Sequence, residues 1–251
     1  MILDEILLCT EARVAAMGVP VPPPYPHTPI SLAGAIRSAG DRAAVIAELK
    51  SASPSKGSIR PEMDAAMMAG EFVAGGAVAL SVLTEPHFFG GSTDLLPRVR
   101  ACAGVPLLRK DFIIDPVQLE ETRALGADAV LLIAGVLGDA LPGFVDRAFA
   151  LGLEPLVEVH TRDEVGPALA SGAELIGINN RDLRTLKIDL RTTRDLSEAV
   201  RKEERLVVSE SGFLWPYHVR ALKPSCDAFL IGTALMASKH PRKTLEGFVY
   251  A

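Results

Sequence analysis

The chain has 251 residues, nearly half of them apolar and 23% charged, a composition that supplies a large core and excludes a disordered chain. A net charge of −5 with no Lys/Arg block lacks the footprint of a nucleic-acid binder, although a local cationic pocket for a phosphate remains allowed. Cys9, Cys102 and Cys226 form no CxxC pair and the five histidines have no ligand spacing, which excludes a disulfide frame and argues against a metal site.

The thiols read as reduced and the protein as cytoplasmic. The N-terminus lacks the basic and apolar regions of a signal peptide, and no apolar stretch is long enough to cross a bilayer. Leu3 to Met17 alternates apolar and polar positions at helical spacing, so an amphipathic helix is expected there. The Pro-rich stretch from Val19 to Pro29 cannot stay helical and should run over the surface, and Ile30 to Ala39 is helical again. These elements form an N-terminal extension over residues 1–43, too short for a core of its own.

From residue 44 onward the pattern changes to short β-rich apolar runs, each followed by a polar loop and a helical stretch. The runs are Val45–Glu48, Ala79–Leu83, Val105–Leu108, Ala129–Ile133, Glu154–Val159, Leu175–Ile178, Leu206–Val208 and Ala228–Ile231. Their spacing, roughly 20–35 residues, is about one βα unit. Glycines before several runs (Gly76, Gly126, Gly172) read as helix stops. Strands that alternate with helices imply a parallel sheet buried on both faces. Eight of them close into a (β/α)8 (TIM) barrel over residues 44–251, whereas open doubly wound sheets stop earlier. The expected fold is a single α/β barrel domain with an N-terminal helical extension.

In such a barrel the active site lies at the C-terminal ends of the strands. Strand one ends in Glu48 and Lys50, strand three in Arg109, Lys110 and Asp111, strand five in Glu158, strand six in Asn179, Asn180 and Arg181, and strand seven in Glu210 and Ser211. Strand four ends apolar, in Leu131 and Ile133. A lone charge at a strand end is usually a salt-bridge partner, but several buried together are costly unless they pair or meet a ligand. Their convergence on one mouth points to chemistry.

Ser211-Gly212 and Gly232-Thr233 follow the last two strands, where barrels bind phosphate with backbone N–H groups. Glycine lets the backbone approach an anion closely, and Lys50 and Ser53 complete the cage from strand one. Phe88, Phe89 and Phe112 offer an aromatic wall. Arg181 is a candidate for a substrate carboxylate, the alternative being a surface pair with Asp182. His87 and His160 read as loop residues near the mouth.

Taken in order, several segments resemble the indole-3-glycerol-phosphate synthase family. They are Glu48-Leu49-Lys50 with Ser53-Pro54-Ser55, Leu83-Thr84-Glu85 with Phe88-Phe89-Gly90-Gly91-Ser92, Arg109-Lys110-Asp111-Phe112, Leu156-Val157-Glu158-Val159-His160, Ile178-Asn179-Asn180-Arg181-Asp182, Ser209-Glu210-Ser211-Gly212 and Ile231-Gly232-Thr233. The resemblance spans about residues 45 to 236, and the extension resembles the family's helices ahead of the first strand. It implies ring closure of 1-(2-carboxyphenylamino)-1-deoxyribulose 5-phosphate to indole-3-glycerol phosphate, carbon dioxide and water, with no metal or organic cofactor.

By the same resemblance, Lys110 is the general acid at the ribulose carbonyl and Glu158 assists dehydration. Lys50 is a second essential lysine, and Glu48, Asn179, Glu210 and Ser211 form a positioning ring. Arg181 faces the anthranilate carboxylate. Ser53, Phe89, Phe112, Leu131, Gly212, Ile231, Gly232 and Thr233 contact substrate. Lysine serves as the donor if burial or nearby cations lower its pKa. The partner implied is a small phosphorylated aromatic substrate, with no nucleic acid and no membrane, and the expected state is a monomer.

Phe213 to Tyr217 is bulkier than the family's usual start to the helix after strand seven, and Lys223 to Cys226 lacks a common glycine. The chain ends soon after strand eight's helix, so a monofunctional enzyme is expected. A phosphoribosylanthranilate isomerase of the same architecture would want an acid–base Cys/Asp pair at the mouth, where no cysteine stands. A decayed binding-only barrel would show gaps in the Lys/Glu set, and there are none.

Overall fold

In the computed structural model, which describes residues 2–17 and 23–251, all eight apolar runs become parallel strands of one closed barrel. They are β1 (Ala44–Leu49), β2 (Ala79–Leu83), β3 (Leu107–Lys110), β4 (Ala129–Ile133), β5 (Glu154–Val159), β6 (Leu175–Asn179), β7 (Leu206–Glu210) and β8 (Ala228–Ile231). Each pairs with its sequence neighbours and β8 closes on β1. Strand β3 starts two residues later than expected. Pro106 has no N–H for a ladder, although its carbonyl accepts from Leu80 N, and the first strand amide, Leu107 N, donates to the Asp128 carboxylate instead. Strands β1, β6 and β7 run past their expected ends because the ladder continues in register, Asn179 opposite Glu210 and Leu49 opposite Val82.

Helices α1 (Ile2–Ala15) and α2 (Leu32–Arg37) precede the barrel. The segments between strands carry α3 (Ala65–Ala74), α4 (Pro86–Phe89), α5 (Leu95–Arg100), α6 (Pro116–Ala124), α7 (Ala134–Leu137), α8 (Leu141–Ala150), α9 (Arg162–Ala170), α10 (Arg191–Lys202) and α11 (Pro216–Leu222), and α12 (Thr233–Met236) and α13 (Pro241–Val249) follow β8. Gly76, Gly126 and Gly172 hold φ of 84–92°, the left-handed turn that ends a helix ahead of a strand.

The strand alternation of period two sorts the core into two layers. Val45, Ala47 and Leu49 of β1, with Val130, Leu132, Val157 and Ile176, face outward against the helices. Ala44, Ile46, Leu108, Leu131, Leu156, Leu175, Val208 and Leu230 face inward and fill the barrel. Glu48, Lys110, Glu158 and Glu210 each stand two residues beyond an inward apolar residue (Ile46, Leu108, Leu156 and Val208). The barrel is therefore a packed core with these four charges gathered at its C-terminal end.

The extension serves both ends of the barrel. Ser31 caps α2 by accepting from Gly34 N, which starts the helix at Leu32 rather than Ile30. Leu32, Ala33 and Ile36 cluster with the inward residues Ala44, Ala79, Ala129 and Ala228. Ile30 N donates to Asp128 just ahead of β4 and Ala33 N to Glu154 at the start of β5, so α2 covers the N-terminal opening. His27 joins the same anchor, its Nε2 3.0 Å from Asp128 Oδ1. Helix α1 lies at the opposite end, where Arg13 makes a two-pronged pair with Asp111 beyond β3, at 2.8 and 2.7 Å. Of the Pro-rich stretch, residues 19–22 lie outside the described residues; the rest, to Pro29, is surface chain without helix or strand.

Candidate active site

A cavity of about 340 Å³ opens at the C-terminal end of the strands, within the range of small-ligand sites. All the residues given a catalytic or substrate-contact role by the family resemblance line it. Glu48, Lys50 and Ser53 come from β1 and its loop, Lys110 and Phe112 from β3, Leu131 from β4 and Glu158 from β5. Asn179 and Arg181 come from β6, Glu210, Ser211 and Gly212 from β7, and Ile231, Gly232 and Thr233 from β8. Phe89 reaches in from α4, whose cap is the buried Glu85 accepting from the backbone N–H of His87, Phe88 and Phe89. The Phe89 and Phe112 rings lie 6.3 Å apart with planes tilted by 37°. Phe88 packs beside them without lining the cavity.

The charged centre is a lysine shared by two carboxylates. Lys110 Nζ lies 3.0 Å from Glu158 Oε2 and 3.1 Å from Glu210 Oε2. Lys50 Nζ lies 2.5 Å from Glu48 Oε2. Burial works against the Lys110 charge, but Glu158, Glu210 and Glu48 outweigh it and raise its pKa. The lysine is thus not tuned downward as the sequence reading required, because its neighbours are carboxylates and not cations.

Burial would lift the Glu158 pKa too, yet Lys110 and a hydrogen bond from His160 hold it well below the usual carboxylate range. Glu210 goes the other way. Burial and the Glu158 charge outweigh the pull of Lys110 and push its pKa up to about 8. At neutral pH Glu158 is therefore the anion and Glu210 the proton carrier, the divergence expected of an acid–base pair.

Glycines make room for these carboxylates. A Cβ on Gly177, inward-facing between Glu158 and Val208, would collide with Glu210, and a Cβ on Gly232 would collide with Glu48. Gly177→Ala should therefore swing Glu210 off Lys110 and lower kcat on the order of 10²-fold with little effect on the thermal midpoint. Steady-state kinetics beside a melting curve checks this, and an alanine variant of wild-type kcat would show that the position of Glu210 does not matter.

Arg181 is half-buried, its guanidinium donating to Leu186 O at 3.1 Å, and burial lowers its pKa against the pull of Glu48. No pair with Asp182 forms; that carboxylate accepts from the backbone of Arg184 and Thr185. Ser211 sits at φ 66°. The Asn180 amide, which donates to Glu210 O at 2.9 Å and Ser211 O at 3.1 Å, holds it there.

The sequence reading missed Ile2, Leu3 and Ile6 of α1, which wall the cavity. Their helical spacing marks one apolar face, but nothing local says what that face covers. It also missed His160, which lies behind the cavity wall against Glu158 rather than in a free loop. Its two-residue offset from Glu158 was the available signal. None of the three cysteines lines the cavity.

The indole-3-glycerol phosphate synthase family model matches residues 11–248. An indole-3-glycerol phosphate synthase from Acetivibrio thermocellus is 42% identical over 99% of both chains, and one from Bordetella pertussis is 49% identical over 83% of this chain and 80% of its own. Among solved structures, a tryptophan synthase chain from M. tuberculosis superposes with a TM-score of 0.65 at 13% identity, covering 87% of this chain and 97% of its own. KGPDC from Streptococcus mutans superposes with a TM-score of 0.62 at 16% identity, covering 82% and 95%. These two similarities speak for the barrel alone. Family match, long relatives of the same name and a strand-end cavity lined by the charged residues Glu48, Lys50, Lys110, Glu158, Arg181 and Glu210 agree: the chain belongs to the indole-3-glycerol phosphate synthase family.

Proposed function

We propose that the cavity closes the indole ring of 1-(2-carboxyphenylamino)-1-deoxyribulose 5-phosphate, releasing carbon dioxide and water and leaving indole-3-glycerol phosphate. The observation that carries this reading is the lysine held between two carboxylates whose proton affinities are pushed apart.

The ring carbon that bears the carboxylate attacks the ribulose carbonyl, and Lys110 gives a proton to the carbonyl oxygen. An alkoxide is a stronger base than an amine, so a lysine protonated at every working pH is suited to the step; it must be present and aimed. Loss of carbon dioxide returns the electron pair to the ring. The new hydroxyl then leaves as water, with a protonated group beside it and Glu158 taking the proton on the neighbouring carbon. Lys50 and Glu48 hold the carbonyl end of the substrate, and Asn179, Glu210 and Ser211 hold its hydroxyls and Lys110.

The phosphate belongs beside Ser211-Gly212 and Gly232-Thr233, where α12 starts and its first amides have no intrahelical acceptor. Ser53 faces this end from β1, its buried Oγ without a protein partner among the described residues, which a substrate oxygen would satisfy. Arg181 takes the anthranilate carboxylate, and Phe89, Phe112, Leu131 and Ile231 wall the ring. The proposal extends to one domain over residues 1–251 acting as a monomer in the cytoplasm on a small phosphorylated substrate. No helix among the described residues is long and apolar enough to cross a membrane.

The test is indole fluorescence from purified protein given carboxyphenylaminodeoxyribulose phosphate, with a chelator present. Emission growing at enzymatic rates is expected. A folded protein that leaves intact substrate unchanged would move the activity to another phosphate-binding barrel reaction.

A further inference from the structure

His160 is a histidine the chemistry above does not use, and it is tied to the reacting groups. His160 stands one residue past the end of β5 and two after Glu158. Its Nε2 lies 3.1 Å from Glu158 Oε1, while the other Glu158 oxygen is 3.0 Å from Lys110. On the far side of the ring, Nδ1 lies 3.5 Å from Glu164 Oε2, in the first turn of α9. That same oxygen accepts the His160 backbone N–H at 2.6 Å, so Glu164 is fixed with respect to the ring. Gly135 of α7 leaves the space for Glu164, whose Oε1 lies 3.0 Å from where a Cβ would stand. The imidazole is only 10% exposed.

We propose that His160 is a positioning residue for ring closure: clamped between Glu164 and Glu158, its ring pins the Glu158 carboxylate so that one oxygen stays on Lys110 and the group stays an anion. The inference rests on the acid–base role given to Glu158.

The charges facing the ring are Glu158 on its own strand and Glu164 on α9, with Lys110 (β3) and Glu210 (β7) reached through Glu158. Helix α7, packed on α9, has no titratable side chain. Burial disfavours a charged ring, but the hydrogen bonds and charges of Glu158 and Glu164 overcome it and push the His160 pKa up to about 10. As an imidazolium the ring sets a positive charge between the two carboxylates, with an N–H on each side, whereas a neutral ring has one donor. Its charge also lowers the Glu158 pKa alongside Lys110. Glu158 thus keeps an orientation that Lys110 alone, a flexible cation shared with Glu210, does not impose.

The experiment compares wild type, His160→Ala, His160→Gln and Glu158→Gln for kcat, KM and the pH profile of kcat, with circular dichroism to show folding. His160→Ala should lower kcat about tenfold at nearly constant KM and move the acid limb up by about one pH unit, because Glu158 loses a neighbouring cation. His160→Gln, which keeps a donor toward Glu158, should recover most of the kcat. A His160→Ala variant with wild-type kcat and acid limb overturns the proposal. So does a loss of kcat with an unmoved limb that glutamine does not recover, since the ring would then only fill space. Glu158→Gln turning over normally would instead overturn the role of Glu158 itself, whatever the histidine variants do.

Discussion

Lys110→Ala is expected to lose about 10³ in kcat while KM changes little and the barrel stays folded. The ammonium is lost from the point that Glu158 and Glu210 share and that the proposed reaction gives to the carbonyl oxygen, so two effects combine. The proton donor disappears. Glu158 and Glu210, each within 3.1 Å of the same nitrogen, also lose the cation that lowers the proton affinity of both. The Glu158 pKa then rises and less of the carboxylate is ionised at neutral pH. Folding should survive because the side chain reaches into an open cavity, and the apolar layer below it, Leu108, Leu131 and Leu156, is untouched.

Lys110→Arg separates the two effects. It keeps a cation beside the carboxylates, but guanidinium is not deprotonated in proteins. The arginine variant should keep the carboxylates beside a cation and still turn over slowly. An alanine variant that keeps most of its kcat would hand the donor role to another lysine of the cavity, Lys50 first, since it pairs with Glu48 at the end of β1.

What was legible in the sequence follows from what is local. The rhythm of runs and helix stops is local, and it yielded all eight strands and the barrel. The strand ends are local too, so Glu48, Glu158 and Glu210 were placed at the mouth by position alone, and their spacing of two from Ile46, Leu156 and Val208 accounts for the inward face that the structure gives them. Strand three shows the limit. Arg109 and Lys110 are adjacent and both charged, and only register, displaced by Pro106, decides that Lys110 enters the cavity while Arg109 faces the helices. The role of α1 as a cavity wall is non-local, since it depends on Arg13 finding Asp111 98 residues away. His160 was hidden because the residue that makes it more than loop, Glu164, belongs to the next helix.

Arg109→Met should be the most destabilising single change near the site, and it should act without touching the cavity. The guanidinium is wholly buried between β3 and α6, and each of its nitrogens is engaged. Nε donates to Thr84 Oγ1 at 3.2 Å, one terminal nitrogen to Gln118 O and Thr122 Oγ1, and the other to Asp111 at 3.1 Å and Glu121 at 2.7 Å. A methionine fills part of the volume and pairs with none of them, leaving Asp111, itself buried, with one cation, Arg13. Breaking a buried pair by removing one partner costs about 3–5 kcal/mol. For a chain of this size that is roughly a 10 °C fall in the melting midpoint, at about 2–4 °C per kcal/mol.

The pH dependence identifies the cause. Burial would raise the Asp111 pKa, but the charges of Arg109 and Arg13, with hydrogen bonds from Arg13 and Thr84, lower it. A group with a depressed folded pKa stabilises above its unfolded value, near 4, and loses that contribution as pH falls through the folded one. The gap between wild type and Arg109→Met should therefore be widest at neutral pH and narrow on acidification below about 4. Asp111→Asn made in the Arg109→Met background should cost much less than in the wild type, since the pair has already been broken. Denaturant unfolding across pH measures both effects. A constant gap from neutral to acid pH would mean that lost packing, and not the buried ion pair, sets the stability of the β3–α6 unit that presents Lys110.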